Sequence, residues 1–347
     1  MTKQFNKYVT TRILIILIGV VCVLYFAKPL FVPLAFAAVF TALLMPVFHK
    51  LQRWGLNEGL SILVSVLLLV SIFGALGYGI YYQASVFAAD RDEIQEQFTK
   101  QLHKVENWLS NSLNVEKETV HEQLKSRAKG IAGSLSPASL FTQFVTVIVN
   151  TLLVLVYIIL MIMMRKHFTK FLRKSLRNQP DLNTNQITNQ VNEIVQQYLI
   201  GYLLTIAGLF VAYAIGFTIT GLKYGIFLAA FAAVLSIIPY VGNIVGGTTA
   251  LIAAVITGGG SGVIIGVLAT MIVAQLFENY IFQPFVVGDR VDLNPLITIV
   301  SVVGFGLLWG IPGAVLAIPL TAILKAVFDQ LPHLEHLGFL MGKENEG

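Results

Sequence analysis

The chain has 347 residues, 56% of them hydrophobic and only 12% charged, against about 25% charged in a soluble globular protein. With a mean hydropathy of +0.77, these figures exclude a water-soluble fold and a disordered one. The formal charge of +5 does not point to nucleic acid, because Lys3, Lys7, Arg12 and the six basic residues between Arg165 and Arg177 flank apolar runs, where they set membrane orientation.

The first apolar run, residues 13–27, is short and lies between Arg12 and Lys28, whose side chains can reach the interface. Its Cys22 is the single cysteine and can close no intramolecular disulfide. The second run, 30–48, is opened by Pro29 and Pro33. A third, 60–82, is followed by a polar insertion at 83–140, and a fourth spans 141–164. In the insertion, Ile94, Phe98, Leu102, Val105 and Leu109 recur at helical intervals, which predicts an amphipathic helix, and Asn114 is placed to cap a second. Packing of this helical hairpin on its own membrane domain or on neighbouring protomers is the expectation.

Residues 165–177 interleave cations with Phe168, Phe171, Leu172 and Leu176, the pattern of a basic amphipathic helix at a lipid surface. Beyond Pro180, Ile187, Val191, Ile194, Val195 and Tyr198 keep helical spacing, so this helix is expected to run straight into the fifth run, 199–219. The remaining runs, 224–256, 262–281 and 296–327, are interrupted by Gly and Pro. At about 20 residues per span, the pattern predicts an all-α polytopic membrane protein of about eight transmembrane helices. Its parts are N-terminal spans at 1–82, an extracytoplasmic helical insertion at 83–140, and a C-terminal half at 141–347 with a cytoplasmic basic loop at 165–198. The Lys and Arg asymmetry puts both termini in the cytoplasm, since the insertion, with seven basic and eight acidic residues, carries no inside signal.

No phosphate-binding loop, zinc-protease helix or nucleophile elbow is visible, so the chain is not expected to be an enzyme, and no cofactor or metal is expected. The informative features are breaks in apolar helices. SIIPYVGNIVGG, residues 236–247, places Pro239, Gly242, Asn243 and Gly246 in one apolar run. Proline removes a helical donor, and a carbonyl freed at membrane depth must be satisfied by protein, water or cargo. Gly242 and Gly246 also form a small-xxx-small pair. The last run, GFGLLWGIPGAVLAIPLTAILK at 304–325, is broken by Gly310, Pro312, Gly313 and Pro319. Two Gly/Pro-interrupted segments in one membrane domain point to a substrate path or hinge, with a tightly packed kinked helix as the structural alternative. Between them, Glu278 ends an apolar run, where an ionised carboxylate at depth costs about 2.5–3.5 kcal/mol unless paired or hydrated. Pro284 and Pro295 stiffen the segment after Glu278, in which Asp289, Arg290 and Asp292 are close enough for local ion pairing.

On these residues the sequence resembles the autoinducer-2 exporter family, also called PerM-like permeases. The shared features are Ile238-Pro239-Tyr240-Val241-Gly242 with Gly246, Glu278 with Pro284 and Gly288, Asn294-Pro295-Leu296, and Gly310-Ile311-Pro312-Gly313 with Pro319-Leu320 and Lys325. The resemblance implies a homo-oligomeric helical permease of the bacterial inner membrane, surrounded by membrane lipid. Its implied cargo is a small polar organic molecule such as autoinducer-2, or alternatively a monovalent cation exchanged for protons. A non-transporting scaffold is the alternative from another class. On the transport reading, Glu278 is a proton- or cation-sensitive carboxylate, and the glycines and prolines named above mark the path or its hinges.

Overall fold

The computed structural model describes residues 2–89, 96, 99, 100, 137–175, 184–238, 241–287, 292–331 and 334–343. The elements are α1 (Thr2–Phe26), α2 (Lys28–Arg53), α3 (Glu58–Ala89), α4 (Pro137–Ser175), α5 (Thr184–Ile219), α6 (Gly225–Leu235), α7 (Val241–Ile256), α8 (Ser261–Phe277), a π-helix (Glu278–Val287), α9 (Pro295–Trp309), α10 (Ile311–Gln330) and α11 (Glu335–Met341). No strand occurs among the described residues. The two-helix reading of the insertion, from Ile94 to Leu135, falls almost wholly outside them.

Six helical stretches are long and apolar enough to cross a membrane, Lys28–Arg53, Glu58–Gly79, Thr146–Phe171, Glu193–Ile219, Ser261–Phe282 and Ile311–Gln330, beside the shorter Gly225–Leu235, Gly242–Ile256 and Pro295–Trp309. The chain is thus an all-α polytopic membrane protein. Its surface fits that solvent: on α5, Ile200, Leu204, Val211 and Ile215 face outward while Thr205 and Tyr213 are buried, the inverse of a water-soluble helix. As its spacing predicts, α5 runs unbroken from Thr184 through the apolar run, and α4 carries the basic segment to Ser175 as continuous helix.

The structure divides two runs that hydropathy leaves whole. Residues 224–256 form α6 and α7, and residues 296–327 form α9 and α10. At 1.5 Å per residue, the 11 residues of α6 reach about 16 Å, half the apolar thickness of a bilayer. The second break is a single residue. Gly310, at φ 72° and ψ −149°, ends α9 and precedes α10, a backbone geometry that an L side chain rarely adopts.

The chain forms two compact units. The first comprises residues 1–66, 152–200 and 289–347, and the second residues 67–151 and 201–288. In the first, Val39, Ala42, Val195, Trp309 and Leu316 make a buried cluster, fastened where Trp309 Nε1 donates to the Leu24 carbonyl at 3.0 Å and Gln196 Nε2 to the Ala42 carbonyl at 2.9 Å. In the second, Leu209, Tyr213 and Phe217 of α5 pack on the alanine faces of α6 and α7. Small residues there bring backbones close, which supplies dispersion contacts where no hydrophobic effect separates helix from lipid.

Candidate transport site

In the second unit, α6 and α7 run back along each other because their facing residues lack bulk. A Cβ at Gly242 would sit 1.9 Å from the Leu235 carbonyl oxygen, and one at Gly246 would sit 2.6 Å from Ala232 Cα. That close approach carries Asn243, the residue after Gly242, against the C-terminal end of α6. Ser236 there is 5% exposed, and its Oγ donates to Asn243 Oδ1 at 2.7 Å or to the Ala232 carbonyl at 2.9 Å. Tyr213 of α5 is also buried, and its hydroxyl approaches the same amide oxygen at 3.5 Å.

The amide nitrogen of Asn243 faces the other way. It donates to Gln275 Oε1 at 3.0 Å and to Glu278 Oε2. Gln275 Nε2 lies 3.4 Å from the same carboxylate oxygen and 3.1 Å from Asn279 Oδ1. Asn243 therefore uses both faces of its amide, which is the full capacity of that side chain. Tyr202 closes the periphery, donating to the Ser236 carbonyl at 2.6 Å. That carbonyl belongs to the helix end left open where α6 stops, the kind of group that must find a partner in a membrane interior.

Glu278 stands where α8 gives way to the π-helix. Wide-turn helix of this kind leaves α-type hydrogen bonds out of register and recurs at functional sites. The donors on its carboxylate are neutral amides, and both reach Oε2. Among the described residues no cation pairs with this carboxylate, so a proton, a cation or the hydroxyl of a polar molecule can compete for it.

The expected site residues thus fall in different places. Asn243 and Glu278 are brought together, with Gly242 and Gly246 as the backbone contacts that make the meeting possible. Pro284 lies within the π-helix, and Pro239 lies outside the described residues. Tyr213, Ser236, Gln275 and Asn279 complete the network without having been singled out in the sequence. Tyr213, Ser236 and Gln275 are lone polar residues in apolar runs, and that isolation was the available signal; Asn279 directly follows Glu278.

Pro295, Gly310, Pro312, Gly313 and Pro319 belong to the first unit, where they shape a second helix pair. Pro295 opens α9 directly after Asn294, whose Oδ1 accepts from Ile297 N–H at 2.9 Å as an N-cap. A Cβ at Gly313 would lie 2.0 Å from the Phe305 carbonyl oxygen, and Pro319 is buried inside α10. The ends of this pair are clamped to α11. Asn294 Nδ2 donates to the Leu340 carbonyl at 2.8 Å, Asn294 N–H to the Met341 carbonyl at 2.9 Å, and Lys343 N–H to Asp292 Oδ1 at 2.9 Å. Asp292 pairs with Lys325 at 3.0 Å, and Lys325 reaches Asp329 at 2.6 Å. Burial raises the Asp292 carboxyl, but the Lys343 N–H and the Lys325 ammonium outweigh it and hold the group below its usual range. The described ion-pair partner of Asp292 is therefore Lys325, on α10; its sequence neighbours Asp289 and Arg290 lie outside the described residues.

A family model described as AI-2E family transporter matches residues 14–333 of the chain. YrrI of Bacillus subtilis strain 168 is 27% identical over 310 residues, covering 86% of each protein. MT0215 of Mycobacterium tuberculosis is 26% identical over 326 residues, 90% of this chain and 87% of that protein. YueF of Bacillus subtilis is 36% identical over 128 residues, a match that spans 34% of YueF. All three carry provisional names as transport proteins.

Proposed function

From the premise that this chain belongs to the AI-2E transporter family and is a multi-pass membrane transporter, we propose that it is a secondary permease of the bacterial inner membrane, exporting a small polar organic molecule of the autoinducer-2 kind. The observation that carries this reading is the Asn243–Gln275–Glu278 network, a set of exchangeable hydrogen bonds at a broken helix between apolar spans. A polar, uncharged cargo loses its water on entering a membrane, and amide donors and acceptors with one carboxylate can replace that water without holding the cargo too tightly to release. Gly242 and Gly246, at the contact of α6 with α7, are the points about which the pair would shift. Both termini face the cytoplasm, and the working form is a homo-oligomer.

A second reading, exchange of sodium or lithium for protons, is favoured by the oxygen chemistry of the same cluster. The Glu278 carboxylate and the side-chain oxygens of Asn243, Gln275 and Asn279 are hard ligands suited to a monovalent cation once the amides turn. Purified protein in liposomes separates the two. Export of an organic cargo releases labelled autoinducer-2 without added sodium, whereas antiport dissipates an imposed proton gradient when sodium is added. Flux of neither kind under conditions where the protein is folded and inserted would favour a non-transporting scaffold.

A further inference from the structure

The first unit gathers an unusual density of cations at one end, from segments far apart in sequence. Arg165 of α4 is the centre of the arrangement. It bonds Glu58 at the start of α3 and the Ile162 carbonyl at 2.8 Å, and its guanidinium lies 4.6 Å from the centre of the Phe48 ring of α2. The C-terminal part of α2 and the start of α3, which the turn at 54–57 connects, are thereby held to α4 at Arg165. Glu58 also lies in the field of Lys166, and His49 in the fields of Arg165 and Arg53, which places these cations around one another.

Charge is strongly one-sided here. Residues 49–58 and 163–175 contain Lys50, Arg53, Arg165, Lys166, Lys170, Arg173 and Lys174, and Glu58 is the one acid. That acid is already engaged by Arg165. Lys166, Lys170 and Lys174 are exposed at four-residue steps, which puts them in one row along the helix. Trp54 is 67% exposed, with Lys50 Nζ lying 5.3 Å from its ring centre. Phe168 and Phe171 are exposed on the same stretch of α4. Cations, an exposed indole and exposed phenyl rings thus lie beside the end of the apolar stretch of α4, and these are the groups that take the phosphate and the acyl chain of a phospholipid.

We propose that this end of the first unit, built from Lys50, Arg53, Trp54, Lys166 and Lys170 around the fixed Arg165, is a binding site for the phosphate group of an anionic phospholipid. The proposal is independent of which cargo the protein moves. Neutralising a row of like charges stabilises the row, so the lipid also braces the junction of α2, α3 and α4.

Quenching of Trp54 fluorescence tests this in the full-length protein reconstituted in lipid nanodiscs. Brominated phosphatidylglycerol or brominated phosphatidylcholine is titrated over the same range of mole fraction, and the Trp54→Phe protein supplies the signal from the other tryptophans. The anionic lipid is expected to quench Trp54 at several-fold lower mole fraction than the zwitterionic one. Lys170→Gln, on an exposed helix face, lowers that preference about fivefold, and adding Lys166→Gln lowers it about fivefold again. Equal quenching by the two lipids would overturn the proposal, as would a preference unchanged in the double variant. Abolition of the preference by millimolar inorganic phosphate in the wild-type protein would also overturn it, assigning the cations to a soluble anion instead.

Discussion

The α6/α7 pair and the α9/α10 pair share a construction and differ in what they enclose. In each, a glycine that follows a break lies against the preceding helix so closely that a Cβ would come within 1.9 Å (Gly242) or 2.0 Å (Gly313) of a carbonyl oxygen. The first pair brings Asn243 to Ser236 and Glu278. The second encloses Trp309, Ala314, Leu316 and Ala317 and places its ionic groups at the ends, in a clamp on α11. A Gly/Pro break alone therefore does not tell the two pairs apart. What distinguishes the candidate is the polar network that the break makes room for.

The largest expected effect is common to both pairs. Gly242→Val and Gly313→Val each drive a side chain into backbone, and each is expected to cost about 3 kcal/mol or more, read as loss of monodisperse protein in detergent. If only one variant were affected, the shared construction would be refuted. Asn243→Ala comes next and divides the pairs. It removes the amide that donates to Glu278 and accepts from Ser236, at about 1.5–3 kcal/mol for the bond to a charged group, and is expected to abolish flux. Lys325→Gln breaks the other pair's clamp, so α11 exchanges its amide hydrogens faster while flux per folded molecule is kept.

The clamp also has a pH signature. Because the native Asp292 carboxyl lies below its ordinary value of 3.8, the stability it contributes is complete above that value. It is lost as pH falls through the lower native value. Protection of the amides of residues 335–341 against hydrogen exchange, taken relative to the unfolded-chain rate at each pH, should thus hold from neutral pH down to the ordinary carboxyl range and fall only in stronger acid, whereas in Asp292→Asn it is low throughout. The smallest effect expected is that of Thr321→Val. The Thr321 hydroxyl is buried with no partner among the described residues, so an isosteric methyl should be neutral or slightly stabilising and leave flux unchanged. A flux defect there would bring the second pair back into the transport path.

Much of the fold was legible because lipid imposes simple rules on sequence. The unbroken course of α5 followed from Ile187, Val191 and Val195, and the helical state of the basic segment from the spacing of Phe168 and Phe171 among its cations. The division of residues 224–256 was legible from Pro239 and Gly242 but not from hydropathy, which sums over a pair of short helices as readily as over one long one. Asn243 and Glu278 could be singled out as polar residues in apolar surroundings, but their meeting depends on Gly242 and Gly246, contacts between residues with no side chain to reveal a partner. Ser236, Gln275 and Tyr213 were harder still, because each becomes part of a site only through packing that places it beside Asn243 or Glu278. Pro295 and Gly313 were legible as breaks, but whether a break serves as a cap, a close helix contact or a hinge was not, because all three use the same residues.

If transport runs through the Asn243–Glu278 network and not through the clamped pair, Glu278→Gln and Lys325→Gln must part company. Flux in proteoliposomes separates them, with labelled autoinducer-2 and with sodium against an imposed proton gradient, at equal amounts of folded, inserted protein. Glu278→Gln is expected to lower whichever flux the wild type shows by about tenfold to a hundredfold, the scale of hydrogen bonds to a charged group, while Lys325→Gln stays near the wild-type rate. Unchanged flux in Glu278→Gln, or an equal loss in both variants, would contradict this assignment of the path.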